Sequence, residues 1–194
     1  MVKTVLFLVT LLFYFSNAFA DRAIFAGGCF WCMESDFEKL DGVSTVISGF
    51  TGGTAKNPTY SGNHQGHYEA VEVTFDPAKV SYEALLDYYW VNIDPFDSKG
   101  QFCDKGTSYL SAIFVADSNQ RALAEKSRER VVAQFPNKKI ITPILQESIF
   151  YPIKGKENYH QDYARNNPVR YNYYRWSCGR DKRLKEIWGA KATH

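Results

Sequence analysis

The chain has 194 residues, 45% hydrophobic and 16% aromatic, with 23 basic and 21 acidic side chains giving a formal charge of +2. That near-neutral balance offers no electrostatic basis for binding nucleic acid, and a chain of this length buries a core without disulfide or metal staples. The aromatic content points instead to apolar pockets for small groups.

The first twenty residues read as a leader. Lys3 supplies a positive start, residues 5–15 are apolar, and Ala18-Phe19-Ala20 fits the small-x-small cleavage rule. The apolar run is too short for a membrane span. The expectation is a signal peptide over 1–20 cleaved before Asp21, and one domain over 21–194. The mature product would be an exported (periplasmic or secreted) monomer with no membrane association.

Next comes Ala23-Ile24-Phe25-Ala26-Gly27-Gly28-Cys29, a short apolar strand running through two glycines into a cysteine. A helix is predicted over 29–40, with Phe30, Met33, Phe37 and Leu40 on one face. Asp41-Gly42 ends it, and a β-rich stretch over 43–50 follows. Residues 51–67 are rich in Gly, Asn, Pro and Ser, an irregular segment long enough to suggest a functional loop. Alternation over 68–75 predicts a half-buried strand. Asp76-Pro77 turns the chain, Ser81 is a good N-cap, and a helix is predicted over 82–91. A second irregular segment over 94–107 precedes a strand over 109–115. Asp117 or Ser118 caps a long helix reaching about 135. Residues 140–150 are strand-like, with Pro143 marking a break or an edge. The tail is polar and aromatic, with short helices expected near 157–164 and 180–188.

This order predicts an α+β fold: a two-layer α/β sandwich built on a split β-α-β, ferredoxin-like plait. Its sheet would be mixed and largely antiparallel, with two long loops and an irregular C-terminal tail left free to build a site.

Cys29 opens a helix, where unpartnered N–H groups and the helix dipole favour a thiolate. That makes it a candidate nucleophile. Cys29 and Cys32 form a Cys-x-x-Cys, which by itself suggests a thiol–disulfide oxidoreductase. Against this, Phe30 and Trp31 between the cysteines are a bulky, pocket-making pair. Four cysteines in an exported chain also raise the plain alternative of two structural disulfides, although Cys29 and Cys32 would close too small a loop to stabilise much. A zinc site with His64 and His67 is disfavoured by the spacing, so no metal is expected. Glu69 stands where the polar loop enters an apolar strand, and burial there would keep its carboxyl protonated as a proton donor. Composition alone would read it as a solvated carboxylate. Asp104 and Tyr109 would not be chosen from spacing alone.

The segment Gly27-Gly28-Cys29-Phe30-Trp31 resembles the signature of the A-type peptide methionine sulfoxide reductases. Further segments match in the same order: Gly52-Gly53, Asn57-Pro58-Thr59-Tyr60, Gly66-His67-Tyr68-Glu69, Asp76-Pro77, Asp94-Pro95, Asp104-Lys105-Gly106-Thr107, Tyr109, Tyr159-His160-Gln161-Asp162-Tyr163 and Asn167-Pro168. The resemblance implies reduction of the S epimer of methionine sulfoxide, free or in proteins. Cys29 would be the nucleophile, Glu69 the acid, and Phe30 with Trp31 the cage for the substrate methyl. Tyr60, Asp104 and Tyr109 match positions that hold the sulfoxide oxygen or order the site. No bound cofactor is implied. A Cys29 sulfenic acid would be resolved by a second cysteine and recycled by an external dithiol, thioredoxin-like or dithiothreitol. The candidates for resolution rank Cys178, Cys32, Cys103, the first from a tail resembling members that recycle from the C-terminus. One departure is Leu110, where members commonly carry arginine.

Overall fold

The computed structural model describes residues 20–192, so the leader predicted over 1–20 lies outside the described residues but for Ala20. The chain runs β1 (Asp21–Gly27), α1 (Phe30–Phe37), β2 (Val43–Thr51), β3 (Tyr68–Phe75), α2 (Tyr82–Val91), β4 (Gly100–Gln101), β5 (Asp104–Lys105), β6 (Ser111–Val115), α3 (Ser118–Gln134), β7 (Ile144–Gln146), β8 (Tyr151–Pro152), α4 (Tyr163–Asn166), α5 (Pro168–Ser177) and α6 (Arg180–Trp188). Six strands form one sheet in the order β7-β6-β1-β3-β2-β8, and β4 with β5 makes a separate hairpin. Every pair in the large sheet is antiparallel except β6 with β7.

The topology follows from two interlocked crossovers. α1 links β1 to β2 with β3 inserted between them, and α2 links β3 to β6 with β1 inserted between them. That is the doubly split β-α-β plait expected from the order of elements. β1 is the central strand, buried on both faces from Ala23 onward. Phe25 faces the helices, stacked on Phe37 of α1 and Tyr89 of α2 at 5.1 and 5.0 Å. Ile24 and Ala26 face the other way, against Ala70, Ala112 and Phe114.

Local chemistry explains the helix boundaries. The Ser81 hydroxyl accepts from Ala84 N at 3.1 Å, and Asp117 accepts from Gln120 N at 2.8 Å, so each caps its helix. α1 is shorter than predicted, because the chain turns after Phe37 into Gly42 at φ 93°. Within 140–150 only Ile144–Gln146 pairs, parallel to β6, with Pro143 just ahead of it at the sheet edge. The strand expected over 109–115 begins at Ser111, since Thr107–Tyr109 makes a 3-10 turn.

The tail is not irregular. Pro168 starts α5 at the first helical position, where its missing N–H costs nothing. The helix buries Tyr171 and Arg175, and Arg175 meets the buried carboxylate of Asp36 at 2.9 Å. Its inner face carries an arginine beside a tyrosine in place of aliphatic side chains, which hid it from the sequence.

Candidate active site

The strand register brings the site together. β1 and β3 pair with Phe25 opposite Val71, so continuing that register sets Glu69 beside Gly27, just ahead of Cys29. On the other side of β1, Gly27 pairs with Ser111, which carries the preceding turn and Tyr109 to the same end. Gly28 lies at φ 85°, and a Cβ there would approach Gln101 Cβ to 2.6 Å, so only glycine fits.

Cys29 is the N-cap of α1, its carbonyl accepting from Cys32 N at 3.1 Å and Met33 N at 3.3 Å. Both thiols are free and buried, 6% and 2% exposed. Burial, a hydrogen bond to Cys32 and the nearby Glu69 charge push the Cys29 thiol well above its ordinary range. The hydrogen bond from Cys29, against the cost of burial and with help from Arg180 and Arg175, lowers Cys32 to about 7. The two buried sulfurs share one environment at the start of α1, which lifts Cys29 and lowers Cys32.

Glu69 is 1% exposed, and its Oε2 accepts the backbone N–H of Phe30 at 3.2 Å. Tyr109 also hydrogen-bonds it. Burial dominates both contacts and raises the carboxyl to about 8. One free donor of the α1 N-terminus is thus spent on holding an acid beside the cysteine. Tyr60 and Tyr109 both sense the charges of Glu69 and Cys29; burial raises Tyr60 to about 12 and Tyr109 higher still. Asp104 is raised by burial and accepts the hydroxyl of Tyr174.

The aromatic residues after Cys29 point to different places. The Phe30 ring is fully buried, 6.0 Å from the rings of Phe50 and Tyr60. Trp31 is partly exposed; its Nε1 donates to His160 Nδ1 at 3.0 Å and its face stacks on Tyr163 at 3.8 Å. Their surroundings come from the tail, through His160, Tyr163, Tyr171 and Tyr174. Tyr174 donates its hydroxyl to Asp104 and packs on the cluster that holds Cys29. Neither it nor Tyr171 was singled out from sequence, although the tyrosine-rich run around them was the available signal.

Of the candidates for resolution, Cys103 and Cys178 are bonded to each other, Cα–Cα 5.0 Å, and Cys32 is the neighbour of Cys29. Cys178 ends α5 rather than sitting in a loose tail. The ring nitrogens of His67 engage Gly53 N and Ala55 O, and His64 Nδ1 engages Thr59 O, so both histidines organise the 51–67 loop. Leu110 follows the Tyr109 turn, half-buried, and brings no cation there.

Buried vicinal thiols, a protonated carboxyl and two tyrosine hydroxyls make a site able to deliver a sulfur nucleophile and a proton to one substrate. The peptide methionine sulfoxide reductase family model matches residues 21–192. The chain is 51% identical over 172 residues to "Peptide methionine sulfoxide reductase MsrA 2" of Caulobacter vibrioides, covering 87% of this chain and 86% of that one. It is 49% identical over 178 residues to "Peptide methionine sulfoxide reductase MsrA" of Bacillus licheniformis, covering 88% and 95%. Among solved structures, methionine sulfoxide reductase A of Corynebacterium diphtheriae superposes with a TM-score of 0.68 at 30% identity, covering 80% of this chain and 78% of that one.

Proposed function

Because the chain belongs to the peptide methionine sulfoxide reductase family, we propose that it reduces methionine sulfoxide, free or in proteins, to methionine. The observation that carries this reading is the pairing of Cys29 with a buried Glu69 carboxyl raised to about 8. A sulfoxide sulfur is a poor electrophile until its oxygen receives a proton or hydrogen bond. The reaction therefore needs a neutral acid and a thiolate together, and Glu69 remains largely protonated at pH 7.

Cys29, at the N-terminus of α1, attacks the sulfoxide sulfur as its thiolate. Glu69 gives its proton to the sulfoxide oxygen, while Tyr60 and Tyr109 donate hydrogen bonds as charge develops there. Oxygen passes to Cys29 as a sulfenic acid and methionine leaves. A second cysteine condenses with the sulfenic acid, water departs, and an external dithiol of thioredoxin type restores the thiols. A chiral pocket orients the methyl and the oxygen oppositely, so one epimer reacts, the S epimer by family membership. The leader read in the sequence supports work in an exported compartment.

Methionine release from each epimer with dithiothreitol tests the reading. The expected result is turnover of the S epimer alone, abolished by Cys29→Ser. Equal turnover of both epimers, or none in the wild type, overturns it. Reduction of insulin disulfides that survives Glu69→Gln would instead favour a thiol–disulfide oxidoreductase working through Cys29 and Cys32, a reading their hydrogen bond alone also fits.

A further inference from the structure

Three side chains of the site lean on one turn of the tail. His160, 1% exposed, lies 4.0 Å from the ring of Tyr60, 5.5 Å from Trp31 and 5.6 Å from Phe30, and its Nδ1 accepts the Trp31 indole N–H. Tyr163, three residues on, stacks on the Trp31 face at 3.8 Å. The residues between them, Gln161 and Asp162, are held by Ser48 and Glu34. We propose that Glu34 is a positioning residue for the substrate cage: with Gln161 it clasps the 160–163 turn to α1 and β2, and this clasp sets the affinity for the sulfoxide. The proposal rests on the reductase reading above and adds to it a residue that acts through Trp31 and His160.

Three observations carry the assignment. First, Glu34 is buried on α1, and its Oε2 accepts the backbone N–H of Asp162 at 3.0 Å across 128 residues of chain. Positions i and i+3 are neighbours on a helix surface, so the side of α1 that presents Trp31 also anchors the turn that walls it. Second, the Gln161 side chain adds a rung to the edge of the sheet. Its Oε1 accepts Ser48 N at 2.8 Å, and its Nε2 donates to Ser48 O at 2.7 Å and Ile153 O at 3.0 Å, where β8 leaves β2. Third, Asp162 lies at φ 55°, a left-handed conformation that costs a residue with a Cβ free energy and persists where neighbours hold it. The turn borders an open cleft of about 280 Å³ lined also by Glu38, Thr45 and Arg165, so packing on that side does not replace these bonds. Arg165 adds ion pairs to Asp162 and Glu38, but they are exposed and contribute little.

With the Glu34 acceptor in place, the turn at Asp162 is satisfied and His160 and Tyr163 stay against Trp31. Without it, the Asp162 N–H has no partner in the protein, and the turn relieves that cost by moving toward the water of the cleft. His160 and Tyr163 move with it, and the Trp31 ring loses both its stacked neighbour and the acceptor of its N–H. Binding then weakens, because the cage must be ordered when the substrate arrives. The chemical step does not, since Cys29 and Glu69 are held by the β1–β3 register and the Phe30 N–H. A glutamine at position 34 still presents an acceptor oxygen, so the clasp depends on the acceptor and not on the charge.

The test is single-turnover methionine formation from the S epimer by the protein with its cysteines reduced, reading the half-saturating concentration and the limiting rate separately. Glu34→Met, similar in shape but without the acceptor, should raise the half-saturating concentration roughly 5- to 10-fold, the loss of one hydrogen bond of ordinary strength. Its limiting rate should stay within about two-fold of wild type. Glu34→Gln should bind as wild type does. Gln161→Leu should weaken binding to a similar degree as Glu34→Met, and the double variant should be no weaker than the worse single one, because the two ends of one clasp are not additive. Normal binding by Glu34→Met, binding by Glu34→Gln as weak as by Glu34→Met, a fall in the limiting rate alone, or a double variant whose loss is the product of the two single losses overturns the clasp and leaves the reductase reading intact. If Glu34→Met does not fold, Gln161→Leu beside Glu34→Gln decides the question on the same two parameters. No methionine from wild type overturns both.

Discussion

The backbone N–H of Phe30 donates to Oε2 of Glu69 at 3.2 Å, so the helix that begins at Cys29 is tied to the acid on the neighbouring strand. The nucleophile and its proton donor, forty residues apart in sequence, are held together at one end of β1 by the strand register and by this hydrogen bond. Any change at Glu69 therefore acts on both chemistry and position.

Glu69→Gln keeps the bond from Phe30, because the amide oxygen still accepts, but has no proton to give. The turnover number should fall by roughly 10² to 10⁴ with KM little changed. Wild-type turnover should decline as pH rises through about 8, where the carboxyl ionises, and the variant should lack that decline. A pH profile of turnover by both proteins checks this.

Glu69 and Glu34 are both raised to about 8 by burial. Each binds more protons folded than unfolded between the ordinary carboxyl range, near 4.5, and 8. Stability should therefore fall as pH rises through that window. Thermal unfolding between pH 5 and 8 should show a smaller fall for Glu34→Gln than for wild type. Equal slopes would refute the assignment.

Arg175 meets Asp36 at 2.9 Å, and both are buried. Arg175→Met should cost about 3 kcal/mol, since it strips a buried carboxylate of its closest cation and leaves Lys39 at 3.3 Å and Arg180 at 3.8 Å. The same change removes positive charge from Cys32, whose titration should move upward. Urea unfolding reads the first effect and thiolate absorbance against pH the second.

Ser81→Ala removes the cap of α2, on the far side of the fold from the chemistry. It should cost about 1 kcal/mol and lower Tm by roughly 2–4 °C, with methionine release unaltered. Calorimetry beside the activity assay separates the two.

Gly28→Ala places a Cβ 2.6 Å from Gln101 at a backbone angle unfavourable to any side chain. A loss of about 1–3 kcal/mol is expected, together with reduced turnover, because Gln101 and Gly28 set the approach to Cys29. Unchanged turnover in the folded variant would show that this turn does not position the sulfur.

The sequence by itself determined the plait and the centre of the site. Alternation in β3, the apolar run of β1 and the Ser81 and Asp117 caps are local signals, and local signals specify elements and their order. The motif Gly27-Gly28-Cys29 likewise specifies a strand, a turn only glycine can make, and a cysteine at a helix start. What only the tertiary structure decided depends on burial, which no spacing records. Glu69 becomes an acid because β3 carries it into the interior beside Cys29. α5 exists as a packed helix because Arg175 finds Asp36, an ion pair spanning 139 residues. The partition of four cysteines into a buried reduced pair and an exposed bonded pair is likewise tertiary, set by which sulfurs α5 covers and which it leaves at its end.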